Sequence, residues 1–365
     1  MHTIAGIWNR IQDTLFPHLQ AHLPQPLTAK EEQLAAILEI VRIEEFVGLP
    51  NWRGRPQADR QALARAFLAK AVYNLPTTKA LLEALRAEPN LRRLCGFERL
   101  DQVGSEATFS RAFDQFATRG LLERVHQALV QQHLGEELIG HISRDSTEVE
   151  AREKAPRKPQ PQPEAQPRRG RGRPRKGTEP PPQPPTRLEQ QLTQTPEQAL
   201  AEVPTACAWG AKRDAKGCQH FWKGYKFHTD VMDAGLPLTA LTTAANVHDS
   251  QVAIPLARRT AGRVTGLYEL MDSAYDAALI QQVVRQLGHV PIIARNRRRG
   301  DQRPPLEPAS QQRFKERTVV ERFYARLKDE FGGRQVRVRG HAKVHAHLMF
   351  GLVALFADQL LKLVT

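Results

Sequence analysis

Apolar residues recur at steps of three and four through EEQLAAILEIVRIEEFV (31–47), RQALARAFLAKAVY (60–73) and LLERVHQALVQQHL (121–134). That spacing gathers them on one side of an α-helix. Between the last two, GSEATFSRAFDQFATRG (104–120) offers Ser105 as an N-cap, a stripe of Phe109, Phe113 and Phe116, and Gly120 as a stop. Residues 1–136 therefore predict an all-α region. A short helix, a turn and a second helix bearing Arg111 suit a helix-turn-helix, which would set Arg111 against DNA. A plain helical bundle is the competing reading.

The period then changes. ELIGHISRDST (137–147) predicts a buried strand ending at Asp145, with EVEAREK as a charged exit. WKGYKFHTDVMD (222–233) and LPLTALTTAANV (236–247) predict two strands joined by a turn at Asp233-Ala234-Gly235. HDSQVAIPLARRTA (248–261) starts a helix with Asp249 or Ser250 as its cap. YELMDSAYDAALIQQVVRQLG (268–288) gives a strand ending at Asp272 and then a helix, HVPIIARN another short strand, and RTVVERFYARLKDE (317–330) an amphipathic basic helix. Strands alternating with helices predict an α/β fold, a mixed sheet flanked by helices, preceded by the all-α region.

Composition changes the picture in two places. The 365 residues carry 53 Lys and Arg against 39 Asp and Glu, a formal net charge of +14, which predicts an anionic partner. Residues 155–200 form an insert rich in Pro, Gln and basic residues, with too few apolar side chains to bury a core. Inside it, RRGRGRPRKG (168–177) has a Gly-Arg-Pro core flanked by cations, the AT-hook pattern. Arg171, Arg173, Arg175 and Lys176 are expected to enter the narrow, electronegative minor groove of A·T tracts. The last segment, VHAHLMFGLVALFADQLLKLV (344–364), carries His345, His347, Asp358 and Lys362 and predicts a buried core helix rather than a membrane span. No signal-peptide pattern opens the chain, and the three cysteines share no disulfide or metal-ligand spacing, which suits a reducing cytoplasm.

The candidate chemistry lies in carboxylates. Two predicted strands end in aspartate followed by serine, RDST at 145 and MDSAY at 272. Strand ends of open α/β sheets are where ligands bind. The helix at 317–330 adds Glu321, with Arg317 and Lys328 on roughly the same face. Two strand-end aspartates and a helical glutamate can hold two hard cations about 4 Å apart, an arrangement suited to phosphoryl transfer. Taken alone, Glu321 reads equally as the i,i+4 partner of Arg317 on a solvated helix.

The chain resembles the bacterial insertion-sequence transposases that carry a DDE catalytic domain of RNase H-like fold. It is closest to the group whose glutamate helix reads Tyr-x2-Arg-x3-Glu-x6-Lys; here the run is Phe314-x2-Arg317-x3-Glu321-x6-Lys328. GYKFHTDVMDAGLPLTALTTAANVHDSQ, DSAYDA and SEATFSRAF extend the resemblance over nearly the whole chain. Phe314 in place of the tyrosine and Ala274 where glycine is common are departures. The resemblance implies Asp145, Asp272 and Glu321 as catalytic metal ligands for two Mg²⁺ ions, with Mn²⁺ able to substitute. It implies Arg317 and Lys328 as DNA-phosphate contacts. The implied partner is double-stranded DNA, both the element's terminal inverted repeats and the target, held by a dimer in the bacterial cytoplasm with no membrane role. A metal-dependent nuclease of the same fold and a non-catalytic AT-hook regulator are the rival functions.

Overall fold

The computed structural model describes residues 4–48, 58–155, 184–213, 217–296 and 304–364. The all-α region is as expected: α1 (Ile4–Arg10), α2 (Phe16–His22), α3 (Ala29–Val41), α4 (Arg60–Val72), α5 (Thr78–Ala87), α6 (Pro89–Leu94), α7 (Glu106–Thr118) and α8 (Leu121–Leu134). Local chemistry sets their ends. Thr28 and Glu31 form a reciprocal capping box on α3, and Ser105 accepts from Thr108 N–H at the start of α7. Gly120, at φ 57°, makes the left-handed break between α7 and α8.

The sheet has the order β2-β3-β1-β5-β6, with β4 also paired to β3. Its strands are β1 (Leu138–Glu150), β2 (Ala208–Arg213), β3 (Gln219–Met232), β4 (Pro237–Ala244), β5 (Thr265–Met271) and β6 (Val290–Ile293). β1 runs antiparallel to β3 and parallel to β5. Helices α11 (Ser250–Ala261) and α12 (Ala278–Gln286) follow β4 and β5; α13 (Pro308–Phe314), α14 (Thr318–Asp329) and α15 (His341–Lys362) close the chain. The architecture is α/β, a mixed sheet flanked by helices and preceded by an all-α region.

Three local expectations need correcting. β1 does not end at Asp145 but runs five residues further, because Thr147 and Val149 continue the alternation and pair along β3. AWGAKR forms the edge strand β2, which the sequence reading missed: its small residues and exposed Trp209 carry little apolar signal. The end of the insert expected over 155–200 holds two short helices, α9 (Arg187–Gln191) and α10 (Pro196–Ala201), each begun by a Thr-x-x-Glu or Thr-x-x-Gln capping box. Arg258 of α11 fastens them by donating to the carbonyls of Gln191, Leu192 and Gln194 at 2.6–3.0 Å.

Helix α15 is long and apolar enough to cross a membrane, yet most of it is buried inside the protein. One apolar core runs from the N-terminal helices through α15 to β3 and α14. Phe350 of α15 and Phe113 of α7 both pack on Phe67 of α4, with centroids 4.9–5.9 Å apart. Truncating one of these rings to alanine costs roughly 3–5 kcal/mol.

A second fixture is ionic. Arg144, fully buried on β1, donates to Asp230 of β3 and Glu269 of β5, each at 2.7 Å. His289 Nδ1 donates to the other oxygen of Glu269, and the Thr260 hydroxyl adds a second bond to Asp230 Oδ2. Removing one partner of such a network costs roughly 3–5 kcal/mol, so the three central strands are held in one register. That register positions the next residue, Asp145.

Candidate active site

Because β1 and β5 are parallel neighbours with Arg144 opposite Met271, the residues that follow, Asp145 and Asp272, emerge side by side. Backbone N–H groups orient both: Ser146 N–H donates to Asp145 Oδ1 at 2.7 Å, and Ala274 N–H donates to Asp272 Oδ1 at 2.9 Å. Asp272 thereby caps the 3₁₀ turn Ser273–Tyr275. Ala274 sits in that turn without a left-handed backbone, so the missing glycine carries no strain.

Helix α14 brings the third acid. Val320, Phe323, Tyr324 and Leu327 bury its apolar stripe against β1 and β3. The Tyr324 hydroxyl donates to the Asp145 carbonyl at 2.7 Å and accepts from Thr229 at 2.8 Å. Glu321, on the opposite side of the helix, is 61% exposed. Arg317, one turn earlier, joins the acids: it donates to Asp145 Oδ2 at 2.6 Å and to Glu321 Oε1 at 3.2 Å. The competing i,i+4 pairing is therefore present, and the same guanidinium also holds Asp145. Among the described residues Lys328 has no ion-pair partner within contact distance; Glu148, Arg334, Lys212 and Asp329 are the charges that act on it.

A fourth acid shares the site. Asp249 occupies the N-cap position of α11, as expected, but its side chain caps nothing. It turns inward to accept from Ser146 Oγ at 3.0 Å and from Lys226 Nζ at 2.9 Å, with His228 Nδ1 at 3.8 Å. His228 is fully buried, and its Nδ1 has no hydrogen-bond partner. In the sequence, Asp249 reads as a helix cap, and Lys226 and His228 alternate along a strand, one face of which could reach DNA though packing is the simpler role. The period-2 spacing of Lys226, His228 and Asp230 along β3 was the available signal that they share a face. His248 stays outside, its Nδ1 2.8 Å from Ser250 Oγ.

The electrostatics are those of crowded carboxylates. Burial pushes the Asp145 carboxyl up to about 6; Arg317 opposes the shift, and Asp272 and Asp249 reinforce it. Burial also raises Asp272, against the pull of the Ala274 N–H and Arg317. Burial acts on Asp249 in the same sense, but His228, Lys226 and Ser146 outweigh it and hold that carboxyl below its ordinary range. Hard oxygen donors in excess of nearby cations suit a hard divalent ion. With Arg317 between Asp145 and Glu321, however, no three His, Cys, Asp or Glu among the described residues converge to ligate one ion.

Of the other candidates, Arg111 is exposed on α7, its Nε donating to the Ala107 carbonyl. Arg171, Arg173, Arg175 and Lys176 lie outside the described residues.

An α/β sheet presenting aspartates from adjacent parallel strands, with a glutamate on the neighbouring helix, gathers hard oxygen donors at one place. Comparison with known families gives the class of protein. Residues 140–357 match the family model described as Transposase DDE domain, and residues 20–115 match one described as Transposase domain (DUF772). The first match spans more than half of the chain, which belongs to the Transposase DDE domain family and is a transposase. None of the curated proteins or solved structures compared with the chain matches it.

Proposed function

We propose that the chain is the transposase of an insertion sequence, binding the element's terminal repeats, cleaving there and joining the freed 3′-OH to target DNA. The observation that carries this reading is the emergence of Asp145 and Asp272 side by side, with Glu321 tied to Asp145 through Arg317. Asp145, Asp272 and Glu321 are the residues that would hold two Mg²⁺ ions, or Mn²⁺ in their place. When bound, the ions supply charge stabilisation at the phosphoryl group being transferred. For Asp145 and Glu321 to serve as ligands, Arg317 would have to leave them, which would free its planar fork for a DNA phosphate. Lys328, on the same face two turns beyond Glu321 and without an ion-pair partner among the described residues, is a second phosphate contact. Asp249 orients Ser146 and Lys226 beside the reacting group.

In this reading residues 1–136 are the helical DNA-binding region, and 137–154 with 201–365 form the catalytic region. Synapsis of two element ends requires a dimer. The test is substitution that removes charge at constant size. Asp145→Asn, Asp272→Asn and Glu321→Gln should each abolish Mg²⁺-dependent cleavage of end DNA while its binding in a gel-shift titration persists. Near wild-type cleavage by any one of the three removes that residue from the ligand set.

A further inference from the structure

Far along β1 from the carboxylates lies a cavity of about 380 Å³, walled by α4 and α7 on one side and by the α14–α15 connection and α15 on the other. Five cations line it, Lys70, Arg152, Arg337, Arg339 and Lys343, against a single carboxylate, Glu106. Lys343 is paired elsewhere, with Asp114 at 3.0 Å. Among the described residues Lys70, Arg152, Arg337 and Arg339 have no ion-pair partner within contact distance.

Lys70 is the informative residue. Only 8% exposed, it sits in the otherwise small and apolar run AFLAKAV, and burial drives its pKa down to about 8 with no acid opposing the shift. A buried ammonium without a counter-ion is destabilising, and a methionine stem would pack the same space without that cost. Among the described residues no acid pairs with it. His347, at the cavity floor, gives its Nε2 to the Gly332 carbonyl at 3.0 Å and supplies no negative charge.

We propose that this cavity is a phosphate-binding site that seats a backbone phosphate of the bound DNA duplex, away from the reacting one. Three guanidinium forks and the Lys70 ammonium suit an oxyanion. A duplex rather than a small anion fits the setting, because cations continue towards the acids. Arg334, itself paired with Asp329, and Lys328 lead back along the connection and α14 to Glu321. From Asp145 to Arg152 the extended chain spans about 23 Å. At 3.4 Å per step in each strand, that reach places the seated phosphate six or seven base pairs from the site of cleavage. The proposal rests on the transposase reading and adds to it a contact remote from the chemistry.

Fluorescence anisotropy of a 30-base-pair end duplex, in EDTA so that nothing is cut, separates the possibilities. Lys70→Met should weaken binding roughly tenfold, the loss of one charge-assisted contact, and flatten the salt slope by about 0.9. Its melting temperature should equal or exceed the wild type's. Arg337→Ala/Arg339→Ala, altering exposed residues only, should act in the same direction and guards against a folding defect at position 70. A neutral methylphosphonate at the sixth or seventh position should weaken wild-type binding and add nothing in Lys70→Met. Wild-type affinity and slope in both variants overturn the proposal. So does a melting temperature raised by pyrophosphate, through Lys70, with duplex binding unaffected, because the site is then one for a small anion. None of these readings depends on cleavage, so a misassigned carboxylate leaves them standing.

Discussion

Asp145 holds its charge against its surroundings, and that conflict is measurable. Its folded pKa, about 6, lies above the ordinary 3.8, so between these values the folded protein keeps a proton that the unfolded chain has released. Stability then falls as pH rises through this window. Above pH 6 the full cost, on the order of 2–3 kcal/mol, is present. Asp145→Asn removes it: at pH 8 the variant should melt several degrees above the wild type, and the two should converge near pH 4. Equal melting temperatures at pH 8 in EDTA would refute an intrinsic conflict at this residue. Addition of Mg²⁺ should raise the wild-type midpoint more than the variant's. Asp145, Asp272 and Glu321 could be proposed from the sequence because each stands at a patterned place: the two aspartates where an apolar strand run gives way to polar residues, and the glutamate on an amphipathic helix. Asp249 could not, since a carboxylate after a strand and before a helix reads as a cap whether or not its side chain turns inward. Lys70 was hidden for a similar reason: only packing from α7 and α15 distinguishes a buried lysine from a solvated one in an alanine-rich helix.

At the scale of elements, the site depends on how α14 is fastened to the sheet. The Tyr324 hydroxyl is the polar link: it donates to Asp145's carbonyl, lies 3.1 Å from Phe227's carbonyl and accepts from Thr229. Tyr324→Phe keeps the ring and leaves the Thr229 hydroxyl without its acceptor in a buried place. The expected loss is about 1–3 kcal/mol in chemical denaturation. Cleavage should fall further than that alone explains, because Glu321 is carried by the same helix, while end-DNA affinity holds. A variant with wild-type cleavage would show that the stripe of Val320, Phe323 and Leu327 seats α14 unaided. That stripe made the helix legible from the sequence, as alternation did for the second half of β3. Where the signal was weak, the reading stopped short. β1 crosses from an apolar run into Glu148 and Glu150 without breaking, because β3 pairs with it throughout. β2 has too few large apolar residues to announce a strand. α9 and α10 are shorter than two full turns, and only their capping boxes mark them.

On the whole molecule, the formal charge of +14 is distributed rather than gathered at the acids, and part of it lies in the insert between β1 and α9. The run RRGRGRPRKG contributes six cations, from Arg168 to Lys176, and lies outside the described residues. Its position in the chain matters. The insert follows β1, the strand that carries Asp145, so in the transposase reading a hook there would be covalently tethered to the catalytic region. Deleting residues 168–177 should therefore weaken duplex binding and flatten its salt dependence. If all six cations sit on phosphates, the log–log slope should drop by about 5; a hook that seats only Arg171, Arg173 and Arg175 should lower it by about 3. Minor-groove insertion adds a sequence term that phosphate contact lacks, because A·T tracts present the narrower, more negative groove. The deletion should then cost more affinity on A·T-rich than on G·C-rich duplexes of equal length, measured by anisotropy across a salt series. An equal loss on both, with the slope reduced, would leave the segment a phosphate tether without groove preference. Unchanged affinity and slope would leave it a spacer.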